Sequence, residues 1–284
     1  MQRAFVAFLV VFMTAPLAAE AHTASPTTAE LPQAWSEMSS VATADGSVYL
    51  FGGWRPGPDS NDYVRSLEAY KFDPSTEELS RIRDLPSNRA PNGLTPAAVV
   101  DGRVLVFARD TDVTRILEYR PLSDTYTVLA ETTRIVSAAT AHDGKAYFLA
   151  EGTGYGTYEP DTGELDCCAP SLVTDQTALV STGDAIYTIA GPEPSPNARP
   201  AKIFRLGSCC ADATFPEQWL YDAAATWDGS RIRIFGGYTW TGDSQSSPRI
   251  YSFDPQSLAL IRESETLPSG RWGATAVHAE GRTF

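Results

Sequence analysis

The sequence predicts an all-β protein made of similar antiparallel sheets that follow one another along the chain. Three observations predict this class: a short apolar strand recurs five times, a turn dipeptide of Asp and Gly precedes each copy, and a proline turn follows four of them. The composition agrees, because 21 Gly and 20 Pro among 284 residues supply many turns and 43% hydrophobic residues exclude a disordered chain.

The recurring apolar strand is the second strand of each repeat. Its copies are Val48-Tyr49-Leu50-Phe51, Val104-Leu105-Val106-Phe107, Ala146-Tyr147-Phe148-Leu149, Ile186-Tyr187-Thr188-Ile189 and Ile232-Arg233-Ile234-Phe235. They end at residues 51, 107, 149, 189 and 235, so the spacings are 56, 42, 40 and 46 residues. Such a spacing accommodates a four-stranded antiparallel sheet with its turns.

A turn and a strand of small residues precede each apolar strand. The turn dipeptides, which accept the positive φ of a two-residue hairpin, are Asp45-Gly46, Asp101-Gly102, Asp143-Gly144, Gly183-Asp184 and Asp228-Gly229. The small strand is clearest at Thr95 to Val100, Ser137 to Ala141 and Ala223 to Trp227. Small side chains suit an innermost strand, where neighbouring sheets converge.

The third strand of a repeat ends in the proline turn. The four copies are Phe72-Asp73-Pro74, Tyr119-Arg120-Pro121, Tyr158-Glu159-Pro160 and Phe253-Asp254-Pro255, whereas the fourth repeat keeps only Ile203-Phe204-Arg205-Leu206. Proline presets φ for such a turn. The repeats therefore predict sheets that pack side by side around an axis, which is a β-propeller.

The last residues begin a sixth repeat. Gly273 to Ala279, the turn Glu280-Gly281 and Arg282-Thr283-Phe284 reproduce the first two strands of a repeat. Leu31 to Ser36, with Trp35, reads as a fourth strand that would complete the same blade. We therefore expect five complete repeats plus a partial sixth, from a propeller of at least six blades that is incomplete at the C-terminus.

Residues 31 to 284 resemble the Kelch-repeat family. The resemblance rests on Gly52-Gly53 and Gly236-Gly237 after the apolar strand, on the aromatic residue and Asp-Pro turn, and on Arg89 and Arg271, which open the next repeat. It implies a Kelch-type β-propeller of four-stranded antiparallel blades. It also implies a structural role for Arg89 and Arg271, as partners of carboxylates, beside the alternative of ligand contact.

The N-terminus predicts export. Residues 1–21 have a basic start, an apolar run from Ala4 to Ala15 and a cleavage site at Ala19-Glu20-Ala21; residues 22–30 form a polar leader. An uncleaved anchor is the alternative, although the run is short for a membrane span. We expect a secreted or extracytoplasmic protein with no stable membrane insertion after the signal is removed. Its formal net charge of −13 argues against nucleic acid as a partner.

The loops between strands two and three, and those between blades, are predicted to share one face, which we call the loop-rich face. The Asp-Gly and proline turns lie on the opposite face. Loops on a rigid scaffold carry function, and Trp, Tyr and Arg are common binding anchors. The candidate ligand-binding residues of the loop-rich face are Trp54, Arg55, Arg89, Arg109, Arg134, Tyr155, Arg199, Tyr238, Trp240 and Arg271, with Trp272 beside the last. Packing between blades is an equal alternative for Trp54 and Trp240.

Four cysteines form two adjacent pairs, Cys167-Cys168 and Cys209-Cys210. In an exported chain they are disulfide candidates, with three possible connectivities, and a soft-metal site is the alternative. His142 and His278 have no metal-ligand spacing, and the run Asp59 to Asp62 lacks the spacing of an EF-hand. We therefore predict no catalytic residues, no metal and no cofactor.

The leading functional hypothesis is a non-catalytic scaffold that binds an extracellular protein or glycan through the loop-rich face. Its arginines suit carboxylates or acidic glycans. The alternative is a sugar-active enzyme, because the resemblance includes relatives similar to sialic-acid mutarotases and to galactose oxidase. The copper site of the second kind is poorly matched here. A surface-layer or adhesion component is a third class.

Overall fold

The computed structural model confirms an all-β protein built as a propeller. It describes residues 27–32, 36–57, 63–86, 95–152, 154–169, 178–190, 200–208, 210–216, 220, 222–240 and 244–284. Across these ranges the chain forms antiparallel strands and no helix, so no helix there is long and apolar enough to cross a membrane. The predicted signal peptide and most of the leader lie outside the described residues.

The first three blades are four-stranded antiparallel sheets. Blade one has the order β1-β2-β5-β6, and its loop carries the hairpin β3-β4; these strands are β1 (Ser39–Ala42), β2 (Val48–Phe51), β3 (Trp54–Pro56), β4 (Tyr63–Arg65), β5 (Ala69–Asp73) and β6 (Glu78–Ile82). Blade two contains β7 (Ala97–Val100), β8 (Arg103–Arg109), β9 (Thr114–Arg120) and β10 (Thr125–Thr132). Blade three contains β11 (Val136–His142), β12 (Lys145–Ala150), β13 (Gly154–Glu159) and β14 (Glu164–Ala169).

The remaining strands complete two further blades and a two-stranded sheet. Blade four contains β15 (Ala178–Ser181), β16 (Ile186–Ala190), β17 (Lys202–Arg205) and β18 (Ala211–Thr214). Blade five contains β19 (Ala224–Trp227), β20 (Ile232–Phe235), β21 (Tyr238–Trp240), β22 (Ser244–Asp254) and β23 (Ala259–Arg271), where β21 pairs with the start of β22. The last hairpin is β24 (His278–Ala279) with β25 (Arg282–Thr283).

The hairpin between the first two strands is a two-residue turn in only part of the repeats. In blades two and three both turn residues have positive φ, at 48° and 79° for Asp101 and Gly102, which the dipeptides predict. In blade four the amide of Thr182 donates to the carbonyl of Ala185 at 2.9 Å, which leaves Gly183 and Asp184 as the two turn residues that the sequence predicts. In blade five the amide of Asp228 donates to the carbonyl of Arg231 at 3.1 Å, so the turn residues are Gly229 and Ser230 instead of the predicted Asp228 and Gly229. In blade one the hydrogen bond from Thr43 N to Ser47 O encloses three residues, so the prediction of a two-residue turn is wrong there. In blades one and five the Asp side chain also accepts backbone N–H groups: Asp228 Oδ1, for example, accepts from Ser230 N at 2.8 Å.

The core lies between the blades and follows from the alternation of each strand. In β8, Val104 and Val106 pack against blade one, whereas Leu105 and Phe107 pack against blade three. Successive side chains of a strand point to opposite faces, so a strand buried on both faces is apolar throughout. This burial explains why the second strand of each repeat has the strongest apolar signal in the sequence.

The last hairpin lies beside blade one. Phe284 packs on Phe72 with ring centroids 5.2 Å apart, and Ser40 Oγ lies 2.6 Å from Thr275 Oγ1. The predicted opening of a sixth repeat is therefore present as a two-stranded sheet. Of the predicted fourth strand, Leu31 and Pro32 lie outside any strand, and Ser36 forms a single bridge with Trp54. Trp35 lies outside the described residues.

Candidate functional site

The strand order assigns the two faces as the sequence predicts. In each blade the turn between strands one and two lies on the same side as the turn between strands three and four. The loop-rich face carries the hairpin β3-β4 in blade one and the pairing of β21 with β22 in blade five. Both follow a double glycine, Gly52-Gly53 in blade one and Gly236-Gly237 in blade five.

A central cavity of about 480 Å³ runs between the innermost strands. It is lined by β1, β7, β11, β15 and β19, and by residues 273–277, mostly through Ala, Ser and Thr side chains. The small residues that the sequence assigned to the innermost strands therefore leave open space on the axis. The carboxyl-bearing residues of its lining are Glu37 and Asp222, which precede the first strands of blades one and five.

Glu37 and Asp222 lie on either side of Gly273. The amide of Glu37 donates to the carbonyl of Gly273 at 2.5 Å, and the amide of Gly273 donates to the carbonyl of Asp222 at 3.2 Å. Both acidic residues have left-handed backbone conformations, with φ of 56° and 52°. Two acidic residues that are far apart in the chain are thus brought together where the last repeat meets blades one and five.

The two carboxyls differ in their surroundings. Glu37 Oε2 accepts a hydrogen bond from Trp54 Nε1 at 2.7 Å, whereas Asp222 Oδ2 is buried and has no hydrogen-bond partner among the described residues. Burial away from water raises the pKa of Asp222 to about 7, and the nearby Glu37 carboxylate contributes to this rise. A carboxyl with this pKa exchanges protons near neutral pH, which is the property of a general acid or base.

Trp54 connects Glu37 to a cationic side chain. The guanidinium of Arg65 stacks on the Trp54 ring, with Cζ 3.9 Å from the ring centroid, while the indole N–H binds Glu37. Arg65 is opposite Trp54 in the β3-β4 register, so the hairpin places both side chains on one face. Arg65 Nη1 is buried and has no partner among the described residues, and burial lowers the pKa of this guanidinium.

Arg65 also belongs to a wider group of charges on the loop-rich face. Glu37, Arg109 and Glu151 all act electrostatically on it. Arg109 ends β8 of blade two, and Glu151 follows β12 of blade three, so three neighbouring blades contribute. We call Glu37, Trp54, Arg65, Arg109, Glu151 and Asp222 the channel-mouth group.

Two of the predicted binding residues, Trp54 and Arg109, belong to the channel-mouth group. Arg55 is beside Trp54 on β3, where strand alternation directs it to the other face of the hairpin; its Nε is buried and has no partner among the described residues. Tyr155 packs between blades three and four, 6.5 Å from the Tyr147 ring, so it contributes to the core. Arg134 is exposed, and its carbonyl accepts from Thr114 Oγ1.

The other predicted residues lie near the end of blade five or outside the described residues. Arg271 is exposed, and its carbonyl accepts from the amide of Gly237 at 2.8 Å. Tyr238 is half-buried beside Trp272. The backbone of Trp240 is in β21, while its side chain lies outside the described residues, as do Arg89 and Arg199.

The cysteines are at the periphery. Cys167 and Cys168 lie in β14, the outermost strand of blade three, and Cys210 precedes β18, the outermost strand of blade four. Cys209 and the run from Asp59 to Asp62 lie outside the described residues, and the disulfide pairing stays a prediction. Among the described side chains, no group of three or more His, Cys, Asp or Glu is arranged to hold a metal ion.

Sequence reasoning did not single out Glu37, Arg65, Glu151 or Asp222. Arg65 lies in the variable loop between the second and third strands, which the repeat alignment does not include, so the alignment carries no signal for it. Glu37 and Asp222 do have a common signal, because each is the acidic residue just before an innermost strand of small residues. That position lies at the loop-rich end of the central cavity.

Comparisons with known proteins support the fold. No protein-family model matches the chain, and no curated protein matches it either. A solved structure titled "Structure of YjhT" matches with a TM-score of 0.67 and 14% sequence identity, covering 89% of this chain and 91% of that chain. At this identity the likeness shows the propeller fold alone.

Proposed function

We propose that this protein binds a carboxylate-bearing sugar at the channel mouth of the loop-rich face. The observation that carries the proposal is Arg65, whose buried Nη1 has no partner among the described residues although it lies beside Trp54 and near Glu37. Burying a guanidinium nitrogen without a partner costs free energy unless a ligand or an ordered water molecule accepts its hydrogen bond. A ligand carboxylate is the strongest such partner.

The rest of the channel-mouth group suits the remainder of a sugar. Carboxyl oxygens of Glu37 and Asp222 can accept hydrogen bonds from hydroxyl groups, and Asp222 can donate one when it is protonated. Serine and threonine hydroxyls line the cavity below them. A concave site with a few convergent polar groups fits a small polar ligand better than a flat protein surface. We therefore favour a glycan over a protein as the partner.

Isothermal titration of the chain with D-galacturonate, D-glucuronate and N-acetylneuraminate tests the proposal. We expect at least one of these acids to bind, and its neutral counterpart to bind at least about tenfold more weakly. Arg65→Ala is expected to weaken binding of the acid by at least about tenfold, because a charge-assisted hydrogen bond is lost. Arg65→Lys should recover only part of the affinity, since an ammonium group cannot form the planar fork.

The matched control is Arg205→Ala. Arg205 is exposed at the end of β17 on the opposite face, so its removal changes the net charge equally and should leave the affinity unchanged. If Arg205→Ala weakened binding as much as Arg65→Ala, the effect would come from net charge and the proposed site would be wrong. Absence of binding to all three acids would also contradict the proposal.

A second candidate is a sugar-active enzyme that exchanges anomers in the manner of a mutarotase. Asp222 favours it, because a carboxyl with a pKa of about 7 at the entrance of a cavity can pass a proton to or from a ring oxygen. Exchange spectroscopy by NMR on a bound sugar acid distinguishes the two functions. Acceleration that disappears in Asp222→Asn would favour the enzyme, and unchanged exchange would favour the binding module.

Three further statements about the protein belong to the same proposal. The double glycines and Asp-Pro turns support membership of the Kelch-repeat family. The basic and apolar N-terminus supports export, which would expose the channel mouth to extracellular glycans. Export in turn supports disulfide bonds among Cys167, Cys168, Cys209 and Cys210.

A further inference from the structure

Trp272 is an exposed aromatic residue held rigidly next to the channel-mouth group. Its side chain is 48% exposed, and its ring meets Tyr238 edge to face, with centroids 6.3 Å apart. The backbone is fixed on both sides: the carbonyl of Arg271 accepts from Gly237, and Gly273 is hydrogen-bonded to both Glu37 and Asp222. A large indole ring is therefore presented to solvent one residue away from the contact that joins the two acidic residues.

The core between blades four and five is filled by residues such as Phe215, Tyr251 and Phe253, each at most 1% exposed, whereas the Trp272 side chain is 48% exposed. An exposed aromatic ring on a fixed backbone can bury apolar surface against a ligand. It loses little conformational entropy when the ligand binds.

We propose that Trp272, supported by Tyr238, is a second sugar subsite, so that the ligand of this protein is an acidic oligosaccharide. The inference rests on the proposed function, because it places the acidic sugar at Arg65 and stacks an adjoining neutral or acidic sugar on the indole ring. The C–H face of a pyranose is apolar and fits flat on an aromatic ring, while its hydroxyl edge stays available to Glu37 and Asp222. Gly273, the residue after Trp272, is hydrogen-bonded to both Glu37 and Asp222, which places the backbone of the second subsite beside the channel-mouth group.

Titration of the chain with matched monosaccharides and trisaccharides tests the subsite. The pairs are galacturonate with trigalacturonate, and N-acetylneuraminate with 3′-sialyllactose. We expect the trisaccharide to bind at least about tenfold more tightly than the monosaccharide, since stacking on a ring adds favourable contact that the monosaccharide lacks. Trp272→Ala should remove this advantage and leave the monosaccharide affinity within about twofold, whereas Trp272→Phe should retain most of it.

Leu122→Ala is the control. Leu122 is also an exposed large apolar side chain, but it lies in the turn between β9 and β10 on the opposite face of the propeller. It should leave both affinities unchanged. Because Trp272 is half exposed, Trp272→Ala should also unfold at nearly the wild-type temperature, which a far-ultraviolet circular dichroism melt would show.

The outcomes separate the two proposals. Equal affinity for monosaccharides and trisaccharides, with no effect of Trp272→Ala, would overturn the subsite and leave the channel-mouth site intact. An equal loss for both ligands in Trp272→Ala would also overturn it, because the ring would then support the first site. If no acid bound in either size, the proposed function itself would fail.

Discussion

Gly236→Ala is expected to lower the free energy of unfolding by about 3 kcal/mol or more. Gly236 has φ of 67°, and a Cβ atom there would lie 2.5 Å from the carbonyl oxygen of Arg271 and 3.4 Å from that of Ser247. Both contacts are backbone atoms, so no side-chain rotation relieves them. The ends of β20 and β23 would have to separate, which would break the hydrogen bond from Gly237 N to the Arg271 carbonyl.

Gly229→Ala is the control that separates this contact from the effect of backbone conformation. Gly229 also has positive φ, at 96°, yet no atom lies within 4 Å of the position that a Cβ would take there. We expect a loss of about 1 to 2 kcal/mol from the left-handed conformation alone. Urea unfolding of both variants at pH 7 measures the difference. Equal losses would show that the close approach of the Arg271 carbonyl does not explain why glycine is needed at residue 236.

The sequence predicted where the double glycines lie in the repeat but not why glycine is needed there. Their presence after β2 and β20 indicated the family, but nothing in the repeat alignment explained why only these two repeats keep them. The structure supplies a physical reason. In blade five Gly236 meets the Arg271 carbonyl, and in blade one a Cβ on Gly53 would lie 2.6 Å from the Ser36 carbonyl. In both places the chain entering an innermost strand passes close to the loop after the second strand.

The blades themselves could be predicted because their signals are local. The continuous apolar run of β8 and the Asp101-Gly102 turn depend on residues that are neighbours in the sequence. At Asp228 the predicted turn is displaced by one residue: the turn residues are Gly229 and Ser230, and Asp228 Oδ1 accepts hydrogen bonds from the amides of Ser230 and Arg231. The dipeptide alone does not specify which two residues form the turn.

The channel-mouth group could be predicted only in part because it depends on how distant blades meet. Trp54 and Arg109 were expected on the loop-rich face, since a strand end determines the face. The meeting of Glu37 with Asp222 requires Gly273 between them, and thus the whole arrangement of blades. The raised pKa of Asp222 depends in turn on the burial of its carboxyl group, which no residue type or spacing encodes.

Asp222→Asn is expected to make the protein more stable at alkaline pH relative to the wild type. The ordinary pKa of this carboxyl is 3.8, and burial raises the pKa of Asp222 to about 7 in the folded state. Between these values the folded protein keeps a proton that the unfolded chain has released, so the unfolded state binds fewer protons and stability falls as pH rises. Above pH 7 the full penalty is present, and below about pH 4 it is absent.

The size of this loss of stability follows from the difference between the two pKa values of Asp222. Each unit corresponds to about 1.4 kcal/mol, so Asp222 destabilises the folded state by up to roughly 4 kcal/mol above pH 7. Between pH 5 and pH 8 the wild type should lose roughly 3 kcal/mol relative to Asp222→Asn. Asparagine tolerates the left-handed backbone of this position, where φ is 52°, so the substitution removes the charge without adding strain.

Urea unfolding of the two proteins at pH 5, 6, 7 and 8 measures this difference, and Asp101→Asn is the matched control. Asp101 has a similar φ of 48° but an exposed side chain, so its variant should follow the wild type at every pH. Parallel curves for the wild type and Asp222→Asn would mean that Asp222 ionises normally, and the acid–base role proposed for it would then be wrong. Curves that diverge steadily from pH 5 to pH 7, with Asp101→Asn unchanged, would mean that a buried carboxyl at the channel mouth holds its proton up to neutral pH.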